Sequence, residues 1–166
     1  MATAKITQTL DIHQQIHAQF SSNEHIKTAK TNIMKTCFND VLSRLCFAID
    51  SENIILDYRY FKFIASSDNY DFIICYIVSV VQCALNKHET FILHVNLESL
   101  SLLHIEKHFG FIKRMSEVLK TTFPDKLNIC HVYNAPYIFS KVISIVGAFV
   151  DKKTQQKIKL VKSEPV

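Results

Sequence analysis

Hydrophobic residues along the chain alternate between helical and extended spacing. Ile6, Leu10, Ile16 and Phe20 predict a loosely amphipathic helix over residues 5–20. After the Ser21-Ser22-Asn23 break, Ile26, Ile33, Cys37, Val41, Leu45 and Ala48 fall at steps of three, four or seven. Met34, Phe38 and Leu42 widen that stripe, which predicts a helix from Glu24 to Ile49. Ile54–Ala65, rich in Ile, Tyr and Phe, reads as a strand. Asp68 or Asn69 is placed to cap a helix over Tyr70–Lys87, apolar almost all round and so expected to be well buried.

Glu89–Leu97 predicts a second strand covered on both faces. Ser99 or Ser101 opens a helix running to Thr121, stopped by Phe123-Pro124-Asp125. Lys126–Tyr133 predicts a third strand, Tyr137–Val150 a very apolar helix, residues 151–157 a polar turn and Lys157–Val161 a last strand. Helices and strands in this order imply an α/β sandwich on a mostly parallel sheet.

At 166 residues and 48% hydrophobic, the chain can bury a core without staples. The net charge of +4 suits an anionic membrane surface and is too small to argue for nucleic acid. Five cysteines without a CxxC pair read as buried free thiols in a reducing compartment. The N-terminus lacks a signal-peptide profile and the apolar run Phe72–Val81 is too short to span a bilayer. The expectation is a cytoplasmic protein with transient membrane association.

With two glycines, Gly110 and Gly147, the chain holds no phosphate loop, dinucleotide fingerprint or nucleophile elbow. His104 and His108 share a helix face and could begin a metal site for a hydrolase, but no third ligand is indicated. The simpler reading is two solvent-facing histidines, and the same holds for His13 and His17. Cys130 and His131 are neighbours on a strand and point to opposite faces, which disfavours a nucleophile-base pair. No catalytic residue, metal or cofactor is expected. The lysines at 152, 153, 157, 159 and 162 suit phospholipid headgroups or plain solvation. Tyr137–Val150 suits a core helix or a cover over an apolar cavity.

Phe123-Pro124-Asp125-Lys126, the strand to Tyr133, Asn134-Ala135-Pro136-Tyr137-Ile138-Phe139 and Thr154 with Lys157-Ile158 resemble, in order, the Sec14-like (CRAL-TRIO) lipid-binding domains. The Asn-Ala-Pro segment with its flanks is the most specific part, and the resemblance covers roughly residues 54–161. It implies a sheet flooring a hydrophobic pocket, covered by helices and closed by an apolar gate helix with Ile138, Val142, Ile145, Val146 and Phe149. It implies a pocket containing Phe91, Leu93, Phe109, Ile112, Tyr133 and Phe139, and a lipid headgroup held by Lys157, Asp125 and Lys126. Asp125 stands where the family carries glutamate. Phe91 and Leu93 stand where choline-lipid binders carry small hydroxyl residues, which favours phosphatidylinositol over phosphatidylcholine. Residues 1–50 would form a helical segment packing on a minimal domain at 51–166. The implied role is non-enzymatic phospholipid transfer or presentation. The alternative is a module of the same fold that binds a small GTPase or other regulator. A homodimer could cover a pocket left open by the family elements absent here.

Overall fold

The computed structural model describes residues 2–21 and 38–162, with side chains from residue 12 onward. The chain divides into two compact units, Met1–Thr36 and Cys37–Val166. The first contains helix α1 (Ala2–Ser21), on which Ile16 and Phe20 are buried. Ile26, Ile33, Met34 and Cys37 of the expected second helix lie outside the described residues.

The second unit runs α2 (Phe38–Leu45), β1 (Cys46–Ala48), β2 (Asn53–Asp57), α3 (Tyr58–Ile64), α4 (Tyr70–Leu85) and β3 (Phe91–Asn96). It continues through α5 (Leu102–Lys107), α6 (Phe109–Thr122), β4 (Leu127–Tyr133), α7 (Phe139–Val146), α8 (Lys152–Gln156) and β5 (Ile158–Leu160). The five strands lie side by side in chain order. β1 pairs antiparallel to β2, and the pairs β2–β3, β3–β4 and β4–β5 are parallel. This is the mostly parallel α/β architecture that the alternating pattern implied. Parallel strands that advance in one direction through right-handed crossovers put their connecting helices on one face.

Four expected element boundaries are corrected. Residues 46–48 are strand β1 rather than helix, because Cys46, Phe47 and Ala48 pair with Leu56, Ile55 and Ile54. The extended run from Ile54 stops at Asp57, whose carboxylate accepts the Arg59 amide and starts α3. The aromatic content of Tyr58–Phe63 hides that cap, since such residues favour strands as readily. The helix expected to reach Thr121 breaks at His108 (φ −105°, ψ 19°) into α5 and α6. The expected turn at 151–157 contains α8, which Asp151 caps by accepting the Thr154 amide at 2.7 Å.

α4 is amphipathic rather than buried all round. Ile73, Ile74, Ile77, Val81 and Ala84 are buried, while Phe72, Cys75 and Cys83 are exposed. Asn69 sits at its N-cap position without a capping side-chain bond. Its amide instead donates to Ile64 O at 2.6 Å and accepts from Ser66 N at 2.9 Å, closing the turn after α3.

The sheet face bearing Asn53, Asp57, His94, Asn96 and Tyr133 is polar and buried. Asn53 donates to both Asp50 carboxylate oxygens at 3.1 Å, so its carbonyl faces His94 Nε2 at 2.8 Å. That makes Nε2 the protonated nitrogen of His94. Asp57 binds the Arg59 guanidinium through Nε and Nη2, at 3.0 and 2.8 Å, and both side chains are 4% exposed.

Candidate functional site

Side chains alternate across a sheet, so register decides which of them meet. Leu56, Leu93, Val95, Cys130, Val132 and Ile158 share the face opposite the polar one. Between this face and the helices lies a cavity of about 310 Å³, near the lower end of typical ligand pockets. Phe61 of α3, Ile77 and Val81 of α4, and Met115 of α6 complete its wall. Burial pushes the Cys130 thiol up to about 12, so it stays neutral and behaves as part of an apolar wall.

Of the expected pocket residues, Phe91, Leu93, Ile112 and Phe139 line this cavity. Tyr133 does not. It follows Val132 on β4, so it points to the polar face, fully buried, with its hydroxyl 3.0 Å from His94 Nδ1. Phe109 is also absent from the lining; it is 42% exposed and meets the Phe149 ring edge-on at 5.2 Å. Val142 and Val146 of α7 line the cavity, together with Ile143, which the sequence reading left out. Ile138 is the N-cap residue of α7, and Ile145 is half-buried on the helix; neither lines the cavity.

A second cavity of about 380 Å³ shares Phe91, Leu93, Met115, Ser116 and Leu119 with the first. It sits at the N-terminal end of the parallel strands and adds Phe149 and the polar side chains of Lys120, Asp125, Asp151, Thr154 and Lys157. Asp125 takes a left-handed turn (φ 59°) after Pro124, a conformation that aspartate tolerates better than most residues. Its carboxylate accepts from Lys153 Nζ at 3.0 Å, an exposed pair worth little by itself. Lys157 Nζ donates to the Leu127 carbonyl at 2.6 Å. A carbonyl acceptor orients the ammonium without pairing it with an opposite charge. The Thr154 amide holds the Asp151 carboxyl below the usual carboxylate range. Lys126 stands apart from this group, in a separate open cavity with Lys87, His88 and Glu89.

His108 is buried rather than solvent-facing, and His104 is half-buried. Both line the apolar cavity, and His108 is only 4% exposed. The Tyr58 hydroxyl lies 2.6 Å from His104 Nδ1, and the Tyr70 hydroxyl 2.7 Å from His108 Nδ1. Sequence spacing put the two histidines on one face, but their tyrosine partners come from α3 and α4 and no local signal marks them. Among the described residues, no group of three or more His, Cys, Asp or Glu could hold a metal.

The CRAL/TRIO domain model matches residues 53–165, from the start of β2 past the end of β5. The chain belongs to the CRAL/TRIO domain family. Similar CRAL/TRIO relatives include the SEC14 cytosolic factor of Yarrowia lipolytica, 31% identical over 64 residues, which are 39% of this chain and 13% of that protein. The Sec14 cytosolic factor of Schizosaccharomyces pombe is 25% identical over 69 residues, 42% of this chain and 24% of that protein. The crystal structure of Sfh5 shares the CRAL/TRIO fold at a TM-score of 0.64 and 15% identity, over 76% of this chain and 50% of that one. The chain thus matches half or less of each of these proteins' lengths. Among the described residues, no helix is long and apolar enough to cross a membrane.

Proposed function

We propose that this protein binds one phospholipid, phosphatidylinositol, and transfers or presents it without making or breaking a bond. The observation that carries this reading is an apolar cavity that shares a wall with a polar vestibule. Acyl chains would occupy the cavity, where each buried methylene contributes about 0.8 kcal/mol. The headgroup would occupy the vestibule. Lys157 would meet the phosphate, and Asp125 and Thr154 the inositol hydroxyls. α7 would act as the gate, because Val142, Ile143 and Val146 are the side of the cavity that one short helix supplies. Lys126 has no part in this headgroup site. Leu103 and Tyr137, 71% and 98% exposed, are the apolar contacts we assign to a transient membrane surface.

The test is mass spectrometry of organic extracts from the purified chain after incubation with mixed-lipid vesicles. Stoichiometric phosphatidylinositol is expected, reduced at least tenfold by Lys157→Ala. A different bound lipid would keep the cavity reading and overturn the headgroup assignment. No bound lipid would overturn both.

A further inference from the structure

The cavity has polar groups at its other end as well. β3 runs from Phe91, which borders the vestibule, to Asn96, and the lining continues through Leu97 and Leu100 to His104 and His108. Six strand residues span about 20 Å. His104, bonded to Tyr58 just past the C-terminal end of β2, therefore lies toward the opposite end of the parallel strands from the Lys157 vestibule.

Each imidazole is fixed by a tyrosine. The Tyr58 side chain is buried, and among the described residues its hydroxyl meets no acceptor other than His104 Nδ1. A buried hydroxyl that fails to donate leaves an unsatisfied proton, so Tyr58 donates to Nδ1. Burial pushes the Tyr58 phenol up to about 12, which keeps that proton in place. Tyr70 has one other acceptor, the Lys107 carbonyl at 3.5 Å, against 2.7 Å to His108 Nδ1. The shorter contact takes the proton. With Nδ1 accepting, the remaining proton of each neutral ring sits on Nε2.

Neither Nε2 has a hydrogen-bond partner among the described residues. Yet no buried side-chain nitrogen or oxygen there is orphaned. The His108 Nε2 therefore borders open space, and the space that its nearly buried ring lines is the cavity.

We infer that His104 and His108 form a second polar pole of the cavity, donating from Nε2 to an uncharged oxygen carried on a long hydrocarbon. A hydroxyl, ether or carbonyl oxygen would serve. A carboxylate is disfavoured, because burial, with the charge of Lys107, holds the His108 imidazole neutral, below its ordinary range. A buried anion would then lack a counter-charge. This inference rests on the lipid-cavity reading and adds a ligand class to it: lipids with a polar oxygen distal to the headgroup, or with no other polar group.

The test compares hexadecane, hexadecanol and palmitic acid, added from ethanol to the purified full chain and quantified after gel filtration. Hexadecanol is expected to bind about tenfold tighter than hexadecane, the effect of one buried hydrogen bond. Palmitate at neutral pH is expected to bind no better than the alcohol. His104→Phe with His108→Phe should bring the ratio of alcohol to alkane to one. His104→Gln with His108→Gln should restore it, since an amide can accept from tyrosine and donate into the cavity. Should the phenylalanine variant fail to fold, histidine nitrogen NMR of the natural chain decides. The Nε2–H resonances should move with hexadecanol and stay still with hexadecane. Equal retention of alcohol and alkane, unmoved resonances, or tighter binding of palmitate overturns the inference. Bound phosphatidylinositol with no alcohol preference overturns it alone. A preference for the alcohol without bound phosphatidylinositol upholds it and overturns the headgroup reading, and no lipid of any kind overturns both.

Discussion

His108 shows how one residue is read differently by spacing and by surroundings. Four residues from His104 on a helix, it looked like half of a solvent-facing pair. In the fold its ring meets Phe61 edge-on at 5.0 Å and takes the Tyr70 hydroxyl, at the point where α5 gives way to α6. Desolvation, followed by the charges of Lys107 and His104, lowers its proton affinity. The unfolded chain, with histidine near its ordinary value of about 6.5, then binds more protons than the native state. Stability from His108 is therefore full above that value and is lost as pH falls through the lowered native pKa. The urea midpoint should fall on acidification from about pH 7 to about pH 5. His108→Gln should flatten part of that slope, and an unchanged slope would remove His108 as its source.

Among the elements, α3 depends most on one side chain. Asp57 ends β2, caps α3 and binds the buried Arg59 guanidinium, while Asn96 donates to it at 3.3 Å. Asp57→Ala removes the cap and the two-pronged carboxylate contact, while Glu98, 3.5 Å from Arg59, is half exposed. Breaking a buried ion pair in this one-sided way costs about 3–5 kcal/mol. Urea unfolding should show a loss of that size, and a loss below about 1 kcal/mol would mean that the site relaxes or admits water. The same element shows why boundaries were harder to read than element types. β3, β4 and α4 were legible because their apolar runs are long. The short segments β1, α3 and α8 were not, because pairing and caps define them rather than a stripe of their own.

Across the second unit, α8 joins the two ends of the proposed gate and headgroup machinery. Lys153 pairs with Asp125, and Thr154 lines the vestibule. Gln155 Nε2 donates to the carbonyls of Gly147 and Val150, at 3.2 and 2.7 Å, just past the end of α7. Gly147 leaves room for this contact, since a Cβ there would stand 3.2 Å from Gln155 Nε2. Gln155→Ala should free the C-terminal end of α7 and speed exchange of a fluorescent phosphatidylinositol several-fold, with little change in the urea midpoint. Equal exchange rates in stopped-flow dequenching would show that α7 moves independently of α8.

The class of fold is legible in the hydrophobic pattern alone. Strand and helix periods alternate, and strands that advance in order through right-handed crossovers have few arrangements open to them. Phe91, Leu93, Val142 and Val146, which the family resemblance assigned to the pocket and gate, do line the cavity. Tyr133, assigned to the pocket by the same resemblance, stands one step from Val132 on β4 and so faces the other side of the sheet. Tertiary structure alone decided which polar groups share a space. Lys157 and Asp125 come together on the vestibule from segments about thirty residues apart, while Lys126, next to Asp125 in the chain, faces another cavity. The tyrosines that orient His104 and His108 lie 46 and 38 residues before them. Hydrogen bonds over such separations depend on how packed elements face one another, and no local period in the chain records that.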